Sequence, residues 1–319
     1  MNYHENTWDT LSLFYSTASA QTYLKKNYTK LNIEDPDVKS FDNCYPFIYY
    51  LEQGQTYYKQ ASHSPISIKP ILLFYGFVQL LKACVLTVNP YYPESSLVLS
   101  HGVTTRKRKK QQYEFLKDEI KIQKNGLLTQ VSEKMFHMKH LEGERITMHD
   151  LLVHLPELHT SFQFLTGRSP FQTIQKEDQN FSFPSNLLSR FHMSQDRFVQ
   201  YLESKTKATF NPIRFDEKKF LLLSESITCN QPGPIRYHLP KKQFTFFLEK
   251  DLQATDFPEP LIHYLLLYNL SMIARYEIEW WYELLKNLDS NDYPFILQFL
   301  SITEIKGPYL LKEWLMDRA

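Results

Sequence analysis

Glycine is scarce in this chain. It occurs 8 times in 319 residues, at 54, 76, 102, 126, 143, 167, 233 and 307, never closer than 17 positions apart, against about 7% in an average protein. Phosphate-cradling and nucleophile-elbow loops need two glycines within about six residues, because backbone must approach the ligand without a Cβ. GxGxxG, GxxxxGK[ST] and GxSxG are all absent, which excludes the usual dinucleotide, P-loop and α/β-hydrolase readings. Cysteine is also rare. Cys44, Cys84 and Cys229 are odd in number and far apart, with no CxxC pair for zinc or redox work, a pattern that suits a reducing compartment. Neither charge dominates: 36 Lys+Arg stand against 35 Asp+Glu, a net charge of +1 with a pI of about 7.7. A nucleic-acid-binding domain is usually far more basic. The N-terminal MNYHENTWDT has neither a basic nor an apolar leader region. Lys82, Gln79 and Gly76 interrupt the most apolar run, Ile71 to Val88, so a cytoplasmic protein is expected.

Aromatic residues are abundant, with 23 Phe, 21 Tyr and 4 Trp. In the first ninety residues Trp8, Leu11, Phe14, Tyr15, Ala18, Tyr23 and Leu24 keep a period near 3.6. A second helix is predicted over 44–62. Pro70 suits the first turn of a third, ILLFYGFVQLLKACVL, apolar almost all round as a central helix is. Beyond it the texture is mixed. Asn125-Gly126 reads as a hairpin turn, and Thr147 opens a short helix that Pro156 ends or bends. The stretch from Phe162 to Lys207 reads as polar and turn-rich with a helix after Ser194. KKFLLLSESI and IRYHLPKKQFTFFLE read as strands. The last sixty residues return to helix, with two short helices starting at Tyr293-Pro294 and Gly307-Pro308. The expected fold is mainly α: a helical-bundle core from both chain ends (residues 1–105 and 256–319) with a mixed α+β segment, 106–255, inserted.

The site candidates are few. Arg106, Lys107, Arg108, Lys109 and Lys110 follow His101-Gly102, a basic run suited to an anion or a nucleotide, since Arg presents a forked donor. Glu133, His137 and His140 stand at i, i+4 and i+7, but no zinc motif occurs, and His149, His154 and His159 rotate around a helix at steps of five. No metal and no cofactor is expected. Arg275 and Glu279, at i and i+4, read as an ion pair. Two adjacent tryptophans cannot both face one core, so one of Trp280 and Trp281 is expected at an interface. No catalytic residue is assigned.

PILLFYGFVQLLKACVL, SHGV, HDLLVHLPEL and EPLIHYLLLYNLSMIARYEIEWWYELL together resemble the YaaC-like family of bacilli, from end to end. That resemblance carries no activity, cofactor or catalytic residue. It implies a link to purine metabolism, because members are often encoded beside IMP dehydrogenase. The apolar helix followed by a His-Gly loop also looks like the HEPN helical superfamily. Its ribonucleases carry Arg, four to six residues, then His, and none of the ten Arg residues here has that spacing. The expected function is therefore a non-catalytic cytosolic binding or regulatory protein. Its expected partners are IMP dehydrogenase or another cytosolic protein, a purine nucleotide, or a second copy in a homodimer. The alternative is a divergent metal-independent ribonuclease or nucleotide hydrolase of HEPN-like type, using His101, Arg145/His149 or Arg236/His238.

Overall fold

The computed structural model describes residues 3–105, 113–216, 218–224, 226–250, 252–288 and 290–319. Four helices open the chain: α1 (Tyr3–Ser12), α2 (Thr17–Lys30), α3 (Pro36–His63) and α4 (Lys69–Leu86). Short elements follow: β1 (Val103–Thr105), β2 (Glu119–Ile122), α5 (Leu127–Gln130), β3 (Arg145–Thr147) and α6 (Met148–Leu152). Then come α7 (His159–Thr166), β4 (Phe171–Glu177), β5 (Asn180–Pro184), α8 (Asn186–Phe191), α9 (Gln195–Thr206), β6 (Asn211–Phe215), β7 (Lys219–Leu223), β8 (Ile235–His238) and β9 (Gln243–Phe247). The chain closes with α10 (Glu259–Tyr276), α11 (Ile278–Asn287) and α12 (Asp292–Met316). The protein is mainly α, with an α+β segment between the two helical ends.

Residues 1–148 and 263–319 form one compact unit and residues 149–262 a second. The first unit holds the N-terminal helices, α11, α12 and nearly all of α10. Ser16 caps α2 by accepting the Ser19 N–H, and Pro36 and Pro70 occupy the first turns of α3 and α4, where a missing N–H costs nothing. On α3, Cys44, Phe47, Ile48, Leu51 and Tyr58 are buried, and the helix packs on both α4 and α2. Among the described residues α4 is the one helix long and apolar enough to cross a membrane, and 67% of it is buried inside the protein. A three-stranded antiparallel sheet, β1-β2-β3, lies in the same unit.

The second unit is built on a six-stranded antiparallel sheet of order β6-β7-β5-β4-β9-β8. Phe181 and Phe183 alternate inward on β5 and join Phe191, Phe198, Leu202, Phe220 and Phe246 in its core. Phe183 stacks on Phe220 at 5.3 Å.

Several expectations are corrected. The opening helix is two helices, broken at 13–16, and α3 begins eight residues earlier than the periodicity indicated. Asn125-Gly126 does not turn a hairpin, because β2 pairs with β1 and β3, while Leu127, Leu128, Gln130 and Val131 are buried at helical spacing. The polar stretch after Phe162 contains the hairpin β4–β5, closed by Asp178-Gln179. Its signal was the Phe-Ser-Phe alternation, and it lacks the glycine usual in such turns, Asp178 itself taking the left-handed conformation at φ 53°. Tyr293-Pro294 and Gly307-Pro308 belong to one helix, α12.

Candidate functional site

His101 sits in the loop between Ser100 and Gly102, and backbone packing fixes that loop. Ser100 O accepts the Leu127 N–H at 2.8 Å, and His101 O accepts the Leu128 N–H at 3.3 Å. His101 O also accepts the Tyr264 hydroxyl of α10 at 2.8 Å. Gly126 lies directly against Gly102, with φ of 137°, and a Cβ there would fall 2.3 Å from the Gly102 nitrogen. Only glycine allows that approach.

The imidazole thus placed is bounded by rings. Phe74 lies at 4.9 Å, Tyr268 at 5.7 Å and Tyr75 at 6.3 Å. Three helices each contribute a pair of residues seven apart, two turns along one face: Tyr50 and Tyr57 on α3, Tyr75 and Lys82 on α4, Tyr268 and Arg275 on α10. Tyr57 stacks on Tyr75 at 6.1 Å, and the Lys82 ammonium lies 5.5 Å from the Tyr50 ring. Arg275 Nη1 donates to the Tyr75 hydroxyl at 2.8 Å, and Nε donates to Ser271 O at 3.0 Å. Its guanidinium lies 5.5 Å from the Tyr75 ring and 5.2 Å from that of Tyr276, cation–π distances in each case.

Electrostatically the cluster is cationic. Burial lowers the His101 pKa below its ordinary value, and Arg275 and then Lys82 push it the same way. Burial lowers Lys82 also. Among the described residues neither Lys82 nor Arg275 forms an ion pair with a carboxylate, whereas Lys69 pairs with Glu304 at 2.8 Å and Arg145 with Glu119 at 3.7 Å. The predicted Arg275–Glu279 pair does not form. Helix α10 ends at Tyr276, and Glu277 leaves helical geometry at φ −121°, ψ 50°, so the four-residue register is lost. Lys82, His101 and Arg275 are partly exposed, as are Tyr50, Tyr57 and Tyr75. A guanidinium, an ammonium and an imidazole beside flat rings have the chemistry that suits an anionic group joined to an aromatic or other planar body.

Of the residues singled out in the sequence, His101 belongs to this cluster, while Arg106, Lys107, Arg108, Lys109 and Lys110 lie outside the described residues. The sequence marks neither Lys82 nor the tyrosines as site residues, and it offers Arg275 only as a partner for Glu279. Their spacing by sevens was the available signal, but spacing does not reveal which faces meet. Glu133 lies in the helical turn Val131–Met135, with His137 and His140 in the loop beyond at φ 54° and 64°, so they do not share one helix face. Among the described residues no three His, Cys, Asp or Glu side chains converge for a metal. His149 contacts Asp150 at 3.2 Å. Arg236 is 2% exposed on β8, donating from Nη2 to Thr255 O at 3.1 Å, and His238 Nδ1 accepts the Lys241 N–H at 3.3 Å. Trp281 is fully buried, and its indole donates to Ser67 O at 2.9 Å. Half-buried Trp280 meets Tyr113 edge-on at 4.4 Å.

No curated protein and no solved structure matches the chain. The YaaC-like Protein family matches residues 12–315, a span that takes in α2 to α4, the His101 loop and α10. On that match, covering nearly the whole chain, the protein belongs to the YaaC-like family.

Proposed function

We propose that this is a non-catalytic, cytoplasmic binding and regulatory protein that takes a purine nucleotide at the Lys82–His101–Arg275 cluster, on a helical-bundle scaffold. One observation carries the reading: two cations without carboxylate partners among the described residues act on the half-buried His101 imidazole, against tyrosine faces. Cations left unneutralised at partly exposed positions favour a phosphate, and the rings offer a base a stacking surface. The basic run 106–110 follows His101 closely and suits the same charge. Half-buried Trp280, with exposed Tyr276, Ile278 and Tyr282 nearby in the sequence, supports contact with a protein partner. IMP dehydrogenase is the partner the family resemblance implies.

Titration of the purified protein with purine mono- and triphosphates tests the reading. Substituting Arg275→Ala or Lys82→Ala removes a charge-assisted contact worth about 1.5–3 kcal/mol, so affinity is expected to fall about tenfold or more. Rising salt should weaken the wild type more than either variant. Unchanged affinity in both variants refutes the site. A complex with IMP dehydrogenase that forms without nucleotide makes the protein an interaction module instead.

The same geometry favours one second reading. An imidazole disfavoured as a cation by two nearby positive charges suits a general base with charge stabilisers, as the HEPN-like ribonuclease or nucleotide hydrolase would require. Turnover abolished by His101→Ala with nucleotide affinity retained would select that reading.

A further inference from the structure

The geometry points to a proton-coupled site, in which an anion bound at Lys82 and Arg275 draws a proton onto His101, so that affinity rises on acidification. The inference rests on the anion-binding role proposed above for this cluster.

The groups around the ring come from three directions. Helix α4 presents Phe74, Tyr75 and Lys82, and α10 presents Tyr264, Tyr268 and Arg275. The third side is closed by the α5 loop, where Gly126 and Leu128 hold the His101 backbone. Behind these lie Tyr57, stacked on Tyr75, and Tyr50 beneath Lys82. Among the described residues the charged groups acting on His101 are Arg275 and Lys82, both cations. Among the described residues no hydrogen bond holds either imidazole nitrogen.

The free site therefore opposes a third positive charge through like-charge repulsion and through enclosure by rings. A dianion drawn by Lys82 and Arg275 to the His101 ring reverses the dominant local sign. It then favours the imidazolium, which can donate to the anion through a ring nitrogen that no described residue hydrogen-bonds. A nearby opposite charge raises a histidine pKa by the same mechanism that a nearby like charge lowers it. Thermodynamic linkage makes the effect reciprocal: if the anion raises the proton affinity of His101, protonation raises the affinity for the anion by the same factor.

The sign follows directly. The free-site pKa of His101 lies below the ordinary 6.5, and an anion held beside the ring raises it. Between the two values affinity rises as pH falls, by up to about tenfold per pH unit for one proton. Above both values the imidazole is neutral in either state and pH has no leverage through it.

Inorganic sulfate is the probe of choice, because it stays dianionic from pH 5 to 8 and contributes no titration of its own. Calorimetric titration of the full-length protein at pH 7.5, 6.5 and 5.5, in buffers of differing ionisation heat, reads affinity and proton uptake together. The expected result is an affinity about tenfold higher at pH 5.5 than at 7.5, with uptake of up to one proton per sulfate, and a flat profile in His101→Asn. A pH-independent wild type overturns the inference while leaving the anion site standing, and so does a slope that persists in His101→Asn. Absence of sulfate binding at every pH refutes the anion-site reading itself and the inference with it.

Discussion

Gly126 is the residue on which the His101 loop depends, and Gly143 provides its control. Both sit at positive φ, 137° and 86°, but a Cβ at 126 would meet the Gly102 backbone at 2.3 and 2.4 Å, while one at 143 meets nothing within 4 Å. Gly143→Ala carries only the conformational penalty, whereas Gly126→Ala adds a backbone collision that no rotamer relieves. Gly126→Ala should cost clearly more than the ~1 kcal/mol scale of an ordinary glycine substitution and displace His101. Urea unfolding of the two variants side by side checks this, and equal midpoints would count against it. The residue scale also shows how much of the site was readable. His101 stood out because it precedes a basic run. The i, i+4 spacing pairs Arg275 with Glu279 only if one helix runs through Glu277, and because α10 ends at Tyr276 the guanidinium turns instead to the Tyr75 hydroxyl. A side chain's partner depends on where its helix stops, and that boundary had no proline or glycine to mark it.

At the scale of elements, α12 shows tertiary packing overriding a local stop signal. Pro308 lacks the N–H that would bond back to residue 304, yet Asp292–Met316 runs through it, with Gly307 and Pro308 buried. Gly307 is small because α12 presses on its neighbours: a Cβ there would lie 2.9 Å from the Tyr58 hydroxyl and 3.3 Å from the Phe77 ring. Two effects of Gly307→Ala oppose each other. Helix propensity favours alanine by roughly 0.5–1 kcal/mol. Overpacking against two fully buried rings costs about 1–3 kcal/mol. The collision should prevail and lower the unfolding midpoint, while a stabilised variant would show that the Tyr58 ring can yield. The same contrast explains the elements that were and were not legible. Helices α4 and α9 carried full signals, a first-turn proline in one and a serine cap on Arg197 in the other. Strand β4 carries no alternation, since its buried Phe171 and Ile174 stand three apart and Gln175, Lys176 and Glu177 are exposed, and its pairing with β9 spans some seventy residues.

For the whole molecule, helical ends flanking a mixed middle were legible from composition. The limits of the two units were not: both fall inside helices, near Met148 in α6 and near Ile262 in α10, where composition does not change. A buried histidine predicts an acid sensitivity within the second unit. His154 is fully buried, its Nε2–H donating to Gln253 O at 2.8 Å and its ring 4.3 Å from that of Phe247. Burial, and then Arg236, push its pKa down to about 3, against weaker upward pulls from the Gln253 carbonyl and Glu259. In the unfolded chain a histidine titrates near 6.5. Between those values the unfolded state binds the extra proton, so stability is full above pH 6.5 and declines as pH falls toward 3. The loss from this one group is about 2 kcal/mol between pH 7 and pH 5. All four tryptophans, Trp8, Trp280, Trp281 and Trp314, lie in the first unit, so their fluorescence reports that unit, and amide exchange in β8 and β9 reports the second. On acidification to pH 5, exchange protection in β8 and β9 should fall while the tryptophan-detected midpoint moves less. His154→Gln should lose that much less protection over the same pH interval. An equal loss in wild type and variant would place the acid sensitivity elsewhere in the second unit.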